Sequence, residues 1–488
     1  MYYTINGGLD MDSVNNCNGE LKKGLKSRHL SMIAIGGSIG TGIFLAMGDT
    51  IHQAGAGGAL VAYCLIGIMV YFLISSLGEM ATFMPVSGSF GTYATEFIDP
   101  AVGFALGWNY WFNWAITIAA ELVASSLIMK FWFPNIPGII WSVLLLSIIV
   151  MLNLLSTKAY GESEFWFASI KVCTVIVFLI IGVLNIFGIM NGHAVGLSNF
   201  KSGGAFVGGF KSIFMVFLLA GFSFQGTELV GIAAGESENP ETSIPKAVNS
   251  VFWRILLFYV GTIIVIGALI PIAEVGVQES AFTLVFEKAG IAGAASIMNA
   301  VILSSVLSAG NSGMYASSRM LYSMAKEGMA PKIFEKVTSK GVPANAVIAT
   351  TVIASACFLT GLYAEDTVYV WLVGASGLVG FIAWMGIALC HYRFRKACEV
   401  QNFDLNKLPY KSKFFPYGPI IALVLCTIVI LGQGLSFISS TGIDWMGLCS
   451  SYIGIPLFVV LFISYKIKHK TKVVDLKNVD LMKYAIKK

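Results

Sequence analysis

Four ionisable residues lie within long apolar stretches of the sequence, where a charge is expensive. Glu121, Lys171, Glu228 and Arg254 have mostly apolar neighbours on both sides. A charged side chain in hydrocarbon is rare and indicates substrate binding, ion transfer or a proton relay. A desolvated carboxylate or amine can take up and release a proton, and a carboxylate can bind a cationic ligand. These positions are therefore candidates for proton or ligand chemistry.

Each of the four residues also has a plainer alternative role. Glu228 directly follows a polar, glycine-containing segment, so we expect it to carry a proton, with a structural hydrogen bond as the alternative. Lys171 could exchange protons, supply a fixed positive charge at an ion site, or extend to the membrane interface. Glu121 could bind a cationic substrate or pair with another helix. Arg254 is predicted just inside the start of an apolar span, where snorkelling or a structural ion pair is expected.

Two segments are predicted to interrupt transmembrane helices near the middle of the membrane. One is Ile35-Gly-Gly-Ser-Ile-Gly-Thr-Gly42, and the other is Ala220-Gly-Phe-Ser-Phe-Gln-Gly-Thr-Glu228. Each glycine weakens a helix by about 1 kcal/mol relative to alanine, and irregular backbone at that depth survives only against protein or a wet cavity. Close helix packing through small residues would explain either segment alone. Their matching positions, in the first and sixth spans, instead indicate an inverted-repeat transporter that binds its substrate between them.

The two interruptions also predict a class of ligand. Amides exposed at a half-helix N-terminus suit a carboxylate, and freed carbonyls suit an ammonium group. An α-amino acid carries both groups on one carbon. Tyr110 and Trp114, four residues apart in the third span, share a helix face and could form a wall of the same cavity, although an interfacial aromatic belt is the alternative.

Transmembrane helices are the elements that would position these residues. Of 488 residues, 56% are hydrophobic and only 12% are charged, which excludes a soluble globular protein and a disordered chain. A span needs about 20 mostly apolar residues, and the sequence predicts an all-α polytopic membrane protein with twelve spans. Their boundaries are 30–54, 59–83, 102–129, 138–156, 165–189, 210–234, 248–272, 293–322, 344–361, 368–390, 417–437 and 446–465.

The distribution of basic residues predicts the orientation. About 25 of the 31 Lys and Arg residues lie on the side of the predicted spans that holds both termini, which the positive-inside rule assigns to the cytoplasm. We expect a cytoplasmic N-terminal tail at 1–28, one transporter domain at 29–466, and a basic cytoplasmic tail at 467–488. Topology explains the basic tail without a nucleic-acid partner, so the lipid bilayer is the expected surrounding.

Several motifs of other function classes do not occur in the sequence. There is no Walker A loop, HExxH or TVGYG segment, which argues against an ATPase, a membrane metalloprotease and a potassium channel. The eight cysteines form no CxxC pair and the five histidines have no metal-ligand spacing. The sequence therefore predicts no catalytic residue, no metal and no cofactor, and it does not indicate an oligomeric state.

Several segments resemble the amino-acid permeases of the amino acid–polyamine–organocation superfamily. They are Gly36 to Phe44, Met84 to Phe90, Phe222 to Glu228, Glu236 to Pro240 and Asn311 to Tyr322. The likeness covers about residues 21 to 465 and is strongest to the bacterial lysine-specific permeases, notably over Gly107 to Ala115 and Val251 to Tyr259. It implies a twelve-helix fold with a five-plus-five inverted repeat (the leucine-transporter fold), helices 1 and 6 unwound at mid-membrane, and proton-coupled uptake of L-lysine into the cell.

The same resemblance implies roles for individual residues. Ser38, Thr41 and Gly42 match the unwound first helix that binds the substrate, and Phe222 matches an aromatic gate over it. Tyr110 and Trp114 match cavity residues of the lysine subgroup, and Glu228 matches an acidic residue tied to substrate binding and proton coupling. The residues implied in proton coupling are Glu228, Lys171 and Glu236. Five more are expected near the substrate: Gly37, Gly40, Glu121, Ser223 and Gly226. Another cationic or neutral amino acid as substrate, or a substrate-gated channel or sensor, are the alternatives.

Overall fold

The computed structural model describes residues 21–37, 39–190, 192, 194–202, 204–275, 280–439 and 442–483. Over these ranges the chain is mostly helical, as the apolar stretches predict. One short antiparallel pair, β1 (Ile438–Ser439) with β2 (Gly442–Ile443), is the sheet of the described part.

The helices of the first half run from residue 27 to residue 236. They are α1 (Ser27–Gly36), α2 (Met47–Phe83), α3 (Ser89–Phe97), α4 (Pro100–Met129), α5 (Gly138–Leu155), α6 (Thr157–Ile186), α7 (Ser198–Ser202), α8 (Gly209–Met215), α9 (Phe217–Phe224) and α10 (Leu229–Ala233). A π-helical segment, Gly42–Ala46, precedes α2, and a 3₁₀ turn, Ala234–Glu236, follows α10.

The helices of the second half continue to residue 469. They are α11 (Pro240–Arg254), α12 (Thr262–Leu269), α13 (Ala281–Lys288), α14 (Ala294–Lys326), α15 (Ala344–Ala354), α16 (Glu365–Val400), α17 (Tyr417–Gly432), α18 (Trp445–Tyr452) and α19 (Gly454–His469). The π-helical segment Ile255–Gly261 joins α11 to α12, and 3₁₀ turns occur at Lys332–Glu335, Ser355–Gly361, Leu405–Lys407 and Gln433–Phe437.

Among the described residues, ten helical stretches are long and apolar enough to cross a membrane, or eleven if α18 and α19, bent by 41°, form one span. The chain is thus a multi-pass membrane protein. The number twelve stays a prediction for a physical reason. α1 has only ten residues, and α2 runs across the boundary between the predicted spans 30–54 and 59–83, with a non-helical Gly55 (φ 77°, ψ 162°) inside it.

α4 lies at the centre of the bundle and packs against α14 and α16. Most of its residues are buried, including Tyr110 and Trp114, because the helix has protein on nearly every side. α1 packs against α6 and α11. These contacts bring the N-terminal break, α4 and α14 to one region.

Both ends of the described chain pack against the same end of the bundle, which we term the terminal face. Backbone amides of Gly24 and Leu25 donate to the Glu236 carbonyl at 3.1 Å. At the other terminus, the Val474 amide donates to the Ile98 carbonyl at 2.8 Å. The predicted basic tail is therefore packed onto the domain as far as it is described.

Asp99 joins that tail to the start of α4. It accepts the Ala101 amide at 2.9 Å as an N-cap and the Thr471 hydroxyl at 2.7 Å, and it forms an ion pair with Lys466. Burial alone would raise the pKa of Asp99, but the hydrogen bonds from Lys466, Thr471 and Ala101 outweigh it and lower the pKa. A lowered pKa in the folded state means that Asp99 stabilises the fold above its ordinary pKa of 3.8 and loses this effect only at more acidic pH.

Asp99→Ala is expected to destabilise the purified protein by about 1–2 kcal/mol, because a helix cap and buried hydrogen bonds are lost together. The measurement is the apparent thermal midpoint in detergent at pH 7 and pH 5, where the decrease should be equal. Asp404→Ala is the control, since Asp404 caps only the exposed turn Leu405–Lys407. Equal midpoints for both variants would show that the tail contact contributes nothing.

Candidate functional site

The first predicted interruption is present. α1 ends at Gly36, and regular α-helix resumes only at Met47, after the π-helical segment Gly42–Ala46. The regular α-helical hydrogen-bond pattern is therefore interrupted along the break. Side chains from other helices bind backbone carbonyls there. Lys171 on α6 donates to the Gly36 carbonyl at 2.8 Å, and Ser305 on α14 donates to the Ile39 carbonyl at 2.7 Å. Backbone polar groups in an apolar interior must be paired in this way.

The second predicted interruption is also present. α9 ends at Phe224 and α10 begins at Leu229, so residues 225–228 form a turn between two short helices. Gly226 has φ +94°, which L side chains rarely adopt. The Tyr259 hydroxyl donates to the Ser223 carbonyl at 2.7 Å, which satisfies one of the groups freed by the break.

The two breaks touch each other through their backbones. A methyl group on Gly37 would lie 2.8 Å from the Gly226 carbonyl oxygen, and one on Gly226 would overlap the Gly37 carbonyl. A methyl group on Gly42 would lie 2.5 Å from Cα of Ser223. Glycine is required at these positions because the chains approach closer than any side chain permits.

A small cavity lies beside this contact, and eight of the predicted site residues line it. They are Gly37, Gly40, Thr41, Gly42, Trp114, Glu121, Phe222 and Ser223. Sequence reasoning missed Thr117, Gln225 and Ala309. Thr117 was detectable, because it follows Trp114 by three residues and precedes Glu121 by four, and so lies on the same face of α4. The predicted Ser38 lies outside the described residues.

Glu121 gives the cavity an acidic side chain with an unpaired oxygen. One carboxylate oxygen accepts the Thr41 hydroxyl at 3.2 Å, and the other has no hydrogen-bond partner among the described residues. The side chain is 5% exposed. A buried, half-paired carboxylate is costly in the absence of a ligand, and a cation in the cavity would compensate it.

Glu228 lies outside the cavity lining, on the far side of the second break. It accepts the Tyr110 hydroxyl and the Trp384 indole N–H, each at 3.2 Å, and the Gly226 amide at 3.1 Å. Tyr110 thus donates a hydrogen bond to Glu228, and its side chain does not line the cavity. Trp384 was not predicted, because it lies 156 positions away in the sequence and only the packing of α16 brings it here.

Lys171 and Glu236 lie on the side of the site toward the terminal face. Lys171 is fully buried, so extension to the membrane interface is wrong for this residue. Glu236 forms a buried ion pair with Arg319 at 2.8 Å and accepts the Tyr315 hydroxyl at 2.8 Å. Glu164, which is also fully buried, was not predicted because the fifth span was drawn from residue 165.

Arg254 corrects a sequence-based prediction. It lies halfway along the helical run from Pro240 to Leu269, 2% exposed, and its guanidinium has no hydrogen-bond partner among the described residues. Snorkelling and a direct structural pair are therefore both wrong for the described state. The prediction failed because the helix begins eight residues before the apolar stretch that marked the span.

The site contains donors and acceptors for a small zwitterion. No group of three or more His, Cys, Asp or Glu side chains suited to a metal occurs in the part of the chain that the structure describes. The breaks instead supply backbone polar groups, and α4 supplies a carboxylate and an aromatic wall. Such a site can bind and release an organic ion.

Comparisons with known proteins agree with this geometry. The family model described as "Amino acid permease" matches residues 29–478. The lysine-specific permease LysP of Escherichia coli (strain K12) is 57% identical over 92% of this chain and 94% of its own. LysP of Lactococcus lactis subsp. cremoris (strain MG1363) is 54% identical over 98% and 96%. The histidine permease HisP of the same strain is 49% identical over 95% and 98%.

Gly226→Ala is expected to lower the apparent thermal midpoint in detergent, because the new methyl group meets the Gly37 backbone and the backbone angle becomes strained. Strain of this kind costs about 1–3 kcal/mol. Gly40→Ala is the matched control, since a methyl group there meets no atom within 4 Å among the described residues and should leave the midpoint unchanged. Equal effects of the two substitutions would contradict the backbone contact.

Proposed function

The chain belongs to the amino acid permease family, and from this premise we propose that it imports L-lysine together with protons across the plasma membrane by alternating access. It is a membrane transporter rather than an enzyme. The cavity between the two breaks is the observation that supports the proposal. It places freed backbone groups close to the unpaired carboxylate oxygen of Glu121. The names of the relatives LysP support lysine as the substrate.

The proposed binding mode follows from the charges of lysine. The α-carboxylate lies against the amides of the first break, near Thr41 and Gly42, and the α-ammonium group lies against freed carbonyls. The side-chain ammonium reaches Glu121, whose unpaired oxygen becomes paired when the ligand binds. Phe222 covers the site from the second break.

The proposed topology has twelve spans in two inverted repeats of five, followed by two more. Division of α2 at Gly55, and pairing of α18 with α19, supports that number. The excess of Lys and Arg on the terminal face supports a cytoplasmic location of this face.

Lysine recognition is tested by uptake of radiolabelled lysine into proteoliposomes, with each of the twenty amino acids as competitor and with or without a pH gradient. Strong competition by lysine alone supports the proposal. Equal competition by histidine would favour a broader cationic or aromatic substrate range, which the 49% identity to HisP makes the second candidate. Accumulation above the external concentration excludes a channel.

Uptake is expected to require an inward proton gradient and to continue when sodium is replaced by choline. Lys171 supplies a positive group to the Gly36 carbonyl, where a bound sodium ion would otherwise be needed. The measurement is initial uptake at a constant pH gradient in the two salts. Loss of transport in choline would overturn proton-only coupling.

Glu228→Gln distinguishes two roles for that carboxylate. If it carries the coupling proton, net accumulation fails while lysine–lysine exchange continues. If it instead pairs with a charged group of the substrate, binding weakens by about 2–5 kcal/mol, or roughly 30- to 5,000-fold, and exchange fails as well. Coupling is the favoured role because Glu228 already accepts hydrogen bonds from Tyr110 and Trp384 outside the cavity.

The control for this variant is Glu238→Gln, since Glu238 is exposed. Normal accumulation, exchange and pH dependence in Glu228→Gln would leave only a structural role.

A further inference from the structure

Three aromatic rings from three different elements surround one side of the second break, and we term them the aromatic clamp. They are Tyr63 on α2, Phe224 at the end of α9, and Tyr259 in the π-helical segment Ile255–Gly261. The ring centroids of Phe224 and Tyr259 lie 4.1 Å apart, and those of Tyr63 and Tyr259 lie 5.7 Å apart in a stacked arrangement. All three residues are fully buried.

Both tyrosine hydroxyls of the clamp reach Ser223. Tyr259 donates to the Ser223 carbonyl at 2.7 Å. The Ser223 hydroxyl donates to the Leu219 carbonyl at 3.0 Å, so the Tyr63 hydroxyl, 2.9 Å away, is the donor in its contact with Ser223. The clamp therefore fixes both the backbone and the side chain of a residue that lines the cavity.

Ser223 in turn lies directly against the first break. A methyl group on Gly42 would lie 2.5 Å from Cα and 2.7 Å from Oγ of Ser223. Because no side chain separates the two residues, a displacement of Ser223 moves the cavity wall at Gly42. This is the end of the cavity where the α-carboxylate of the substrate is proposed to bind.

The local helix geometry on both sides of Ser223 is unusual. Within the part of the chain that the structure describes, the π-helical segments are Gly42–Ala46 and Ile255–Gly261, and each contacts Ser223 through one residue. Such segments are rare and frequently occur at functional sites. Their convergence on one cavity residue indicates that its position matters for more than packing.

We propose that Tyr63 and Tyr259 are positioning residues for substrate binding, which act through Ser223 by holding the second break against Gly42. The proposal deepens the transport function proposed above and rests on it. Neither tyrosine lines the cavity, so neither is proposed to touch the substrate.

Loss of the Tyr259 hydroxyl has a defined physical consequence. It would leave the Ser223 carbonyl without this donor in an apolar interior, which costs free energy until the end of α9 moves to find another. Displacements of about 1 Å in a positioned site can reduce function by about 10²-fold. Substrate binding at Gly42 should therefore weaken, although the ring of a phenylalanine would still fill the clamp.

Tyr93 provides a matched control for the loss of a buried tyrosine hydroxyl. It is 1% exposed, and its hydroxyl donates to the Met84 carbonyl at 2.6 Å. It does not line the cavity. Tyr93→Phe thus removes the same kind of hydrogen bond as Tyr259→Phe, and a purely structural role predicts the same result for both variants.

The test measures initial rates of radiolabelled lysine uptake by the full-length protein in proteoliposomes over a range of lysine concentrations. Tyr259→Phe is expected to raise KM at least about tenfold, with the maximal rate within about threefold of wild type. Tyr93→Phe should leave KM unchanged. Both variants are expected to lower the apparent thermal midpoint in detergent by similar amounts, because each loses one buried hydrogen bond.

The role of Tyr63 is tested by its coupling to the Ser223 hydroxyl. Tyr63→Phe is expected to raise KM about threefold in the wild-type background and to have no further effect in Ser223→Ala, where the acceptor is already absent. A further increase of KM in the double variant would overturn the role of Tyr63.

The outcomes separate the two proposals. Absence of lysine uptake by wild-type protein would overturn the proposed transport function. Uptake by wild type together with an unchanged or lower KM in Tyr259→Phe would overturn only the positioning role, as would equal changes of KM in Tyr259→Phe and Tyr93→Phe. If Tyr259→Phe cannot be recovered as folded protein, Tyr63→Phe decides: a raised KM supports the proposal, and a wild-type KM overturns it.

Discussion

Backbone contact between Gly37 and Gly226 is the constraint on which the rest of the site depends. Each break frees amides and carbonyls in an apolar interior, and each freed group must find a partner. Lys171, Ser305 and Tyr259 donate to these carbonyls from three different helical segments. The cavity lies where the broken backbone packs against neighbouring helices but leaves a small volume between them unfilled. The cavity and the helix packing around it are therefore two consequences of the same interrupted backbone.

Three of the buried carboxylates near this contact differ in how completely they are paired, and that difference sets how much each would gain from a new partner. Glu236 is fixed by Arg319 and Tyr315, Glu228 accepts three neutral donors, and Glu121 keeps one oxygen unpaired. A group that is already neutralised gains little from a new ligand, whereas a half-paired one gains much. Availability for a new partner thus decreases from Glu121 to Glu236, although all three side chains are buried.

The sequence predicted the helical membrane fold, both breaks and most of the cavity wall, because glycine clusters and helical spacing are local signals. The family assignment was confirmed. Trp384 and Glu164 were not predicted. The position of Trp384 near Glu228 depends on packing between helices that are distant in sequence, and Glu164 lay one residue outside a predicted span. Arg254 was misplaced because hydropathy marks the apolar part of a helix and not its full length. The number of spans stayed open because α2 runs through Gly55.

Main-chain hydrogen bonds from residues 24 and 25 to Glu236 and the buried ion pair between Glu236 and Arg319 hold the terminal face together. Main-chain bonds do not depend on side-chain identity, and a buried ion pair is only weakly screened by salt. The packing of this face is therefore largely independent of the residues that line the cavity. Substitutions in the cavity of such a permease therefore leave the contacts that hold its terminal face in place.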